Sequence, residues 1–272
     1  MLVTFAVIID DVVLSDGTTR MGLLGGGGPQ TAFGARHAGF PAGVSAGVGR
    51  DLERGFFEQH GIDGAGLRVH DHLPTLRAWQ LYEPDGRRTQ VWRSAPAVIR
   101  VQLARSLELL PERYRAATAF HLGVHPDDVD VALLDALRAL PQRPLVSVEC
   151  FRPARGPIEL AFIDRCDVLF ANTDEARSLG APDDPEAAAR WLVSRGARVG
   201  VIGCGAEGSV ACDGSAVVRV PADPVAADPA ALGAGNAYCG AFAASYRARG
   251  ELAAAARAGS AAAAALLALL RA

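Results

Sequence analysis

LGAGNAYCGAF, running from Leu232 to Phe242, places two glycines immediately before an Ala-rich amphipathic helical pattern. A helix that starts this way leaves several N–H groups of its first turn without intrahelical partners, and they form a cradle for an anion. Close packing also calls for glycine, and Asn236 in the first turn is equally an ordinary capping residue. The same order, glycines and then an Ala-rich helix, recurs in GGGGPQTAFGARHAG (25–39). Four consecutive glycines let backbone approach a polyhydroxy ligand or a neighbouring strand.

Outward from these two segments, short apolar runs alternate with helical patterns, which predicts an α/β fold with a mostly parallel sheet. Residues 4–9 read as the first strand, with Asp10 and Asp11 at its carboxyl end, the edge where open α/β sheets bind ligands. The two aspartates face opposite ways on an alternating strand, so one of them at most meets a ligand directly. Residues 12–14 and 18–23 read as a hairpin, and so do 76–82 and 88–92 across Glu83-Pro84-Asp85-Gly86. Both lie outside the main layer and suggest a small β lid over 12–23 and 74–93. Later strands are expected at 64–69, 118–122, 145–149, 168–171, 199–203, 209–212 and 216–219. Helices are expected at 51–60, 96–109, 126–140, 157–165, 174–179, 184–195, 235–249 and 252–271.

The chain has 272 residues, and its 27 basic residues are all arginine. Without lysine no Walker-A loop, protein-kinase strand lysine or Schiff base can be built. An anion here must be met by arginine, helix-start N–H groups or a metal ion. A net charge of −3 with scattered arginines offers no footprint for nucleic acid. The apolar N-terminus reads as a strand and not a signal peptide, and Ala258–Leu270 reads as too short for a bilayer, so a cytoplasmic protein is expected. The five cysteines read as buried thiols.

Asn172 and Glu175 come directly after a strand and share one helix face. They either hold Mg²⁺ through water or form a capping box. His121 and His125 are four apart, but HLGVH straddles a strand end, and zinc would need a further Cys, His or carboxylate.

Taken in order, these segments resemble the ribokinase/PfkB family of carbohydrate and nucleoside kinases over nearly the whole chain. Residues 25–39 are similar to its first glycine segment through Gly25, Gly26, Ala32, Ala35 and Gly39. VGRD (48–51) resembles the family's next segment, LPTLRAWQLYEPDGRRT (73–89) its lid strands, and Asn172 and Glu175 its NxxE motif. GCGAEGSV (203–210) resembles its nucleotide-side loop, and GAGN (233–236) occupies the place of GAGD. The resemblance implies one ribokinase-like three-layer α/β/α domain over 1–272 with a small β lid. It also implies ATP and Mg²⁺ as cofactors and phosphorylation of a sugar, sugar acid or nucleoside hydroxyl. It puts the acceptor at Asp10 or Asp11 with Gly26, Gly27 and Gln30, and nucleotide at Gly203, Gly205, Gly208 and Asn172. Mg²⁺ falls to Asn172 and Glu175, and the anion hole to Gly233, Ala234 and Gly235.

Departures from the family pattern fall at the chemistry. Asn236 replaces the catalytic Asp, and loss of a general base costs about 10²–10⁴ in rate. Ala230-Ala231-Leu232 stands for Asp-Thr-Thr, with Asp228 upstream as a substitute base. Gln30 replaces Asn, Glu149 replaces Asp, Gly203 replaces Thr, and the sequence stops short of the terminal segment that covers adenine in many members. A branch related to a fungal killer-virus maintenance protein also carries Asn there, and IDDVVLSDGTTRMGLLGGGGPQTA is closer to it. Two readings result: a phosphotransferase in which Asn236 orients the hydroxyl, or a ligand-binding or regulatory member that dimerises through its lid.

Overall fold

The computed structural model describes residues 1–270 apart from 86, 155, 157, 159 and 226–231. Asp228, the substitute base considered above, lies outside the described residues, as do Pro229, Ala230, Ala231, Gly86 and Pro157.

The first part of the chain forms β1 (Leu2–Phe5), β2 (Ile8–Val13), β3 (Thr19–Gly25), α1 (Gly28–His37), β4 (Ala42–Gly49), α2 (Gly55–Gln59) and β5 (Asp63–His70). The middle forms β6 (Arg77–Tyr82), β7 (Arg88–Trp92), α3 (Pro96–Gln102), α4 (Glu112–Arg115), β8 (Ala119–Val124), α5 (Val131–Arg138) and β9 (Leu145–Cys150). Then come β10 (Val168–Asn172), α6 (Thr173–Ser178), α7 (Pro185–Ser194), β11 (Val199–Gly203), β12 (Ser209–Cys212), β13 (Val217–Val220), α8 (Ala234–Arg249) and α9 (Leu252–Leu269).

The larger sheet runs β13-β12-β11-β10-β9-β8-β1-β4-β5, parallel except at the β11–β12 and β12–β13 pairs. Helices cover both of its faces, as a buried parallel sheet requires. Alternate side chains feed two cores: Leu2, Val44 and Val201 pack with α1, α8 and α9, whereas Val3, Val148 and Leu169 pack with α5 and α7. A smaller sheet, ordered β3-β2-β6-β7, joins the two expected hairpins through a parallel β2–β6 pair.

Three expectations need correction. The strand expected at 4–9 is broken, because Ala6 adopts φ 72° and turns the chain out of the larger sheet into β2. Asp10 and Asp11 therefore sit inside a strand of the smaller sheet and not at the end of a core strand. Secondly, β4 was not anticipated, and the helix expected at 157–165 is a 3₁₀ turn, Leu160–Arg165. Finally, Ala258–Leu270 covers the later part of α9 and its C-cap Leu270; α9 is long and apolar enough by length and composition to cross a membrane, yet it packs on α8 and walls a cavity.

Candidate active site

Two glycines let α1 and α8 meet backbone to backbone. A Cβ on Gly34 would lie 1.9 Å from the carbonyl oxygen of Ala237, and one on Gly240 would lie 1.9 Å from that of Thr31. This contact carries the glycine run at the start of α1 to the GAGN turn. Gly233, at φ 84°, is the N-cap of α8, and no side chain caps it. The first-turn N–H groups of α8 therefore stay available to an anion. Gln30 lies under this turn, since a Cβ on Gly233 would come within 2.5 Å of its Cγ, and its Nε2 donates to the Leu24 carbonyl at 2.5 Å. Gln30 thus braces the GAGN turn from below. Gly27, at φ 81°, faces Asn236, whose Nδ2 would be 2.9 Å from a Cβ there.

Asn236 Nδ2 donates to Glu149 Oε2 at 2.6 Å. Glu149 stands at the end of β9 and lies 3.5 Å from Nε2 of the buried His121 on β8. Cys239, one helical turn beyond Asn236, brings its Sγ within 4.8 Å of both ligand atoms. Burial, reinforced by the charges of Glu149 and Glu175, holds the Cys239 thiol well above its usual range.

Asn172 and Glu175 form the capping box. Asn172 Oδ1 accepts from the Glu175 N–H at 2.8 Å, and Glu175 Oε2 accepts from the Asn172 N–H at 2.7 Å. Burial pushes the Glu175 carboxyl up to about 8 against that N–H, and the charge of Glu149 adds to the rise. These groups line a cavity of about 520 Å³ that also receives Gly203, Gly205, Gly208, Ala234 and Gly235. On its far wall α9 presents Ala263, Ala264 and Leu267. Glu149, Glu175 and Asp223 line the cavity, and among the described residues no arginine does.

Gly26, Gly27 and Asp10 lie toward the smaller sheet. Asp10 Oδ1 accepts from Gln80 Nε2 at 2.7 Å, across the β2–β6 pair. Burial pushes its carboxyl up to about 6, opposed by Gln80, by Arg88 and by the Gly26 N–H. Asp11 turns to the other face, where it pairs with Arg93 and accepts from the Gly22 N–H at 2.8 Å. Arg93 in turn lies over the Trp79 ring. Of the two aspartates, then, Asp10 is the one beside the glycine run, and Asp11 is taken up by an ion pair.

Glu149 was legible only as a departure from the family pattern, whereas His121, Cys239, Gln80 and Arg88 were not anticipated as site residues. Their signal is three-dimensional, since each comes from a separate strand or helix. Arg88, on β7, favours the charged forms of both Asp10 and Glu175 and so ties the two halves together electrostatically.

The family model described as pfkB family carbohydrate kinase matches residues 10–268. The chain is 28% identical over 254 residues to a cytidine kinase of Thermococcus kodakarensis, covering 88% of this chain and 86% of that one. Its fold matches that of Arabidopsis thaliana ribokinase complexed with ribose and ATP, at a TM-score of 0.74 and 20% identity over 97% of this chain and 91% of that one. A putative ribokinase II from E. coli, solved in complex with ATP and Mg²⁺, gives 0.72 and 16% with the same coverage.

Proposed function

The chain belongs to the pfkB family of carbohydrate kinases, and from that premise we propose that it transfers a phosphoryl group from ATP to a hydroxyl of a sugar, sugar acid or nucleoside. The observation that carries this reading is the uncapped start of α8, which borders the cavity through Ala234 and Gly235 and meets the glycine run through the Gly27–Asn236 contact. In this reading ATP occupies the cavity, with its base against α9 and its phosphates toward Gly203, Gly205, Gly208 and the α8 turn. The smaller sheet acts as a lid over the acceptor. The relative that is a cytidine kinase supports a nucleoside among the acceptors to be tried first.

Glu175, with Asn172 beside it, gives the cavity oxygen ligands with no arginine among the described lining, which suits a hard cation arriving with the nucleotide. Mg²⁺ would be held by Glu175 with Asn172 at its side, and it supplies charge neutralisation to the transferring phosphoryl. The protein's own residues do the positioning. Asp10 accepts a hydrogen bond from the acceptor, Gly27 lets it approach the backbone beside Asn236 while Gly26 packs on the Ile8 backbone, and the N–H groups of Gly233, Ala234, Gly235 and Asn236 meet the charge of the moving group. Asn236 presents Oδ1 to the hydroxyl while Nδ2 is engaged by Glu149. Such transfer rests on positioning and charge stabilisation more than on proton removal, so a carboxamide slows it without abolishing it.

Incubation with ATP, Mg²⁺ and a panel of sugars, sugar acids and nucleosides tests this reading. We expect a phosphorylated product from at least one acceptor class. A second reading, favoured by the satisfied Asn236–Glu149 pair, is a ligand-binding or regulatory member. Thermal stabilisation by ATP or an acceptor without turnover, with Asn236→Asp restoring turnover, would establish the second and end the first. For either we place the protein in the cytoplasm, and the lid, which exposes Met21 and Val91, is our candidate for a homodimer face.

A further inference from the structure

We propose that His121, Glu149 and Cys239 form a binding site for a transition-metal dication of the zinc class. Their ligand atoms converge from β8, β9 and α8 and all lie within 4.8 Å of one another. Four-coordinate zinc with bonds of about 2.0–2.3 Å sets its ligands roughly 3.3–3.8 Å apart. His121 Nε2 and Glu149 Oε2, at 3.5 Å, already have that spacing.

The histidine is oriented for the task. Ser147 Oγ donates to the Phe120 carbonyl at 3.1 Å, so toward His121 Nδ1, at 3.0 Å, it is an acceptor. Nδ1 is therefore the ring's donor, and in the Nδ1–H tautomer Nε2 offers a lone pair. That atom is buried, the residue is 3% exposed, and Nε2 has no hydrogen-bond partner. It faces a carboxylate oxygen that Asn236 already holds in place. Two such acceptors 3.5 Å apart can take a cation between them, and an outer partner that fixes the ring tautomer is the usual support of a metal-bound histidine.

Imidazole, carboxylate and thiolate together select a zinc-class ion over Mg²⁺. Cys239 keeps its proton in this buried setting, so metal binding breaks its S–H bond and releases that proton to solvent as the S–metal bond forms. Glu149 and Cys239 both line the cavity, which leaves the fourth position open toward it. The ion would lie beneath the first turn of α8 and supply positive charge where the described lining has no arginine. HLGVH alone lacked further ligands because they come from β9 and α8.

The test uses the full chain, stripped by chelator and titrated with Co²⁺. We expect saturation at one equivalent, with visible bands of four-coordinate intensity, a thiolate-to-cobalt charge-transfer band in the near ultraviolet, and displacement by Zn²⁺ but not by excess Mg²⁺. Cys239→Ser should lose the charge-transfer band. Ser147→Ala, which frees the ring, should weaken binding about 10–100-fold while the metal-free protein keeps its circular dichroism and melting transition. Absence of a saturable spectrum in the wild type, a charge-transfer band that survives Cys239→Ser, or displacement by Mg²⁺ would each overturn the proposal. None of these readouts depends on phosphoryl transfer.

Discussion

Asp10 is a buried carboxylate whose only described side-chain donor is Gln80, and burial raises its pKa from 3.8 to about 6. The folded form thus holds its proton to higher pH than the unfolded chain does. Its stability contribution is whole below about pH 4 and is lost as pH rises toward 6. Asp10→Asn should therefore stabilise the fold by ~1–3 kcal/mol at pH 7 and by almost nothing at pH 4, as read by urea unfolding at both. An equal gain at the two values would show that charge burial is not the cause. That the two aspartates face opposite ways was legible from strand alternation. Which of them lies beside the glycine run was not, because that depends on Arg93, just past β7, and on Trp79 of β6, which reach β2 only in three dimensions. Glu149 was hidden for the same reason: a lone acidic residue at a strand end gains meaning only when His121, Asn236 and Cys239 arrive beside it.

Elements meet here through missing side chains. Gly240→Ala would press a methyl group into the Thr31 carbonyl, and overpacking of this kind costs ~1–3 kcal/mol. Gly55→Ala, with open space around it and no left-handed backbone, should be neutral or slightly stabilising. Melting temperatures of the pair test this, and similar losses in both would argue against the interlock. The interlock also bears on what sequence patterns conceal. β4 reads AGVSAGVG, and small residues at alternate positions look like loop. In the fold, Gly43 makes room for the Tyr114 ring and Gly47 for Gln102, so the strand is buried because its side chains are small. The break at Ala6 was equally invisible, since a left-handed alanine has no local marker.

At the scale of the whole molecule, the alternation of short apolar runs with helical patterns was enough to anticipate a mostly parallel sheet, and the resemblance carried by the glycine segments, NxxE and GAGN supplied the helical layers around it. What that order left open was how the smaller sheet is used. If it dimerises, Met21→Glu combined with Val91→Glu should weaken self-association at least tenfold, measured by sedimentation; a wild type that stays monomeric at every concentration would remove the lid from that role. The parallel β2–β6 pair, described above only as a junction between hairpins, also has a kinetic meaning. Its Asp10–Gln80 contact spans 70 residues, and strands that far apart pair late, because the intervening chain must first be ordered. By the same argument β8 and β9, only 26 residues apart at His121 and Ser147, pair before β2 and β6 do. Pulse-labelling hydrogen exchange during refolding should find the amides of Ala78–Tyr82 protected after those of β8 and β9. The strand that carries Asp10 thus gains its partner only after the local strand pair has formed.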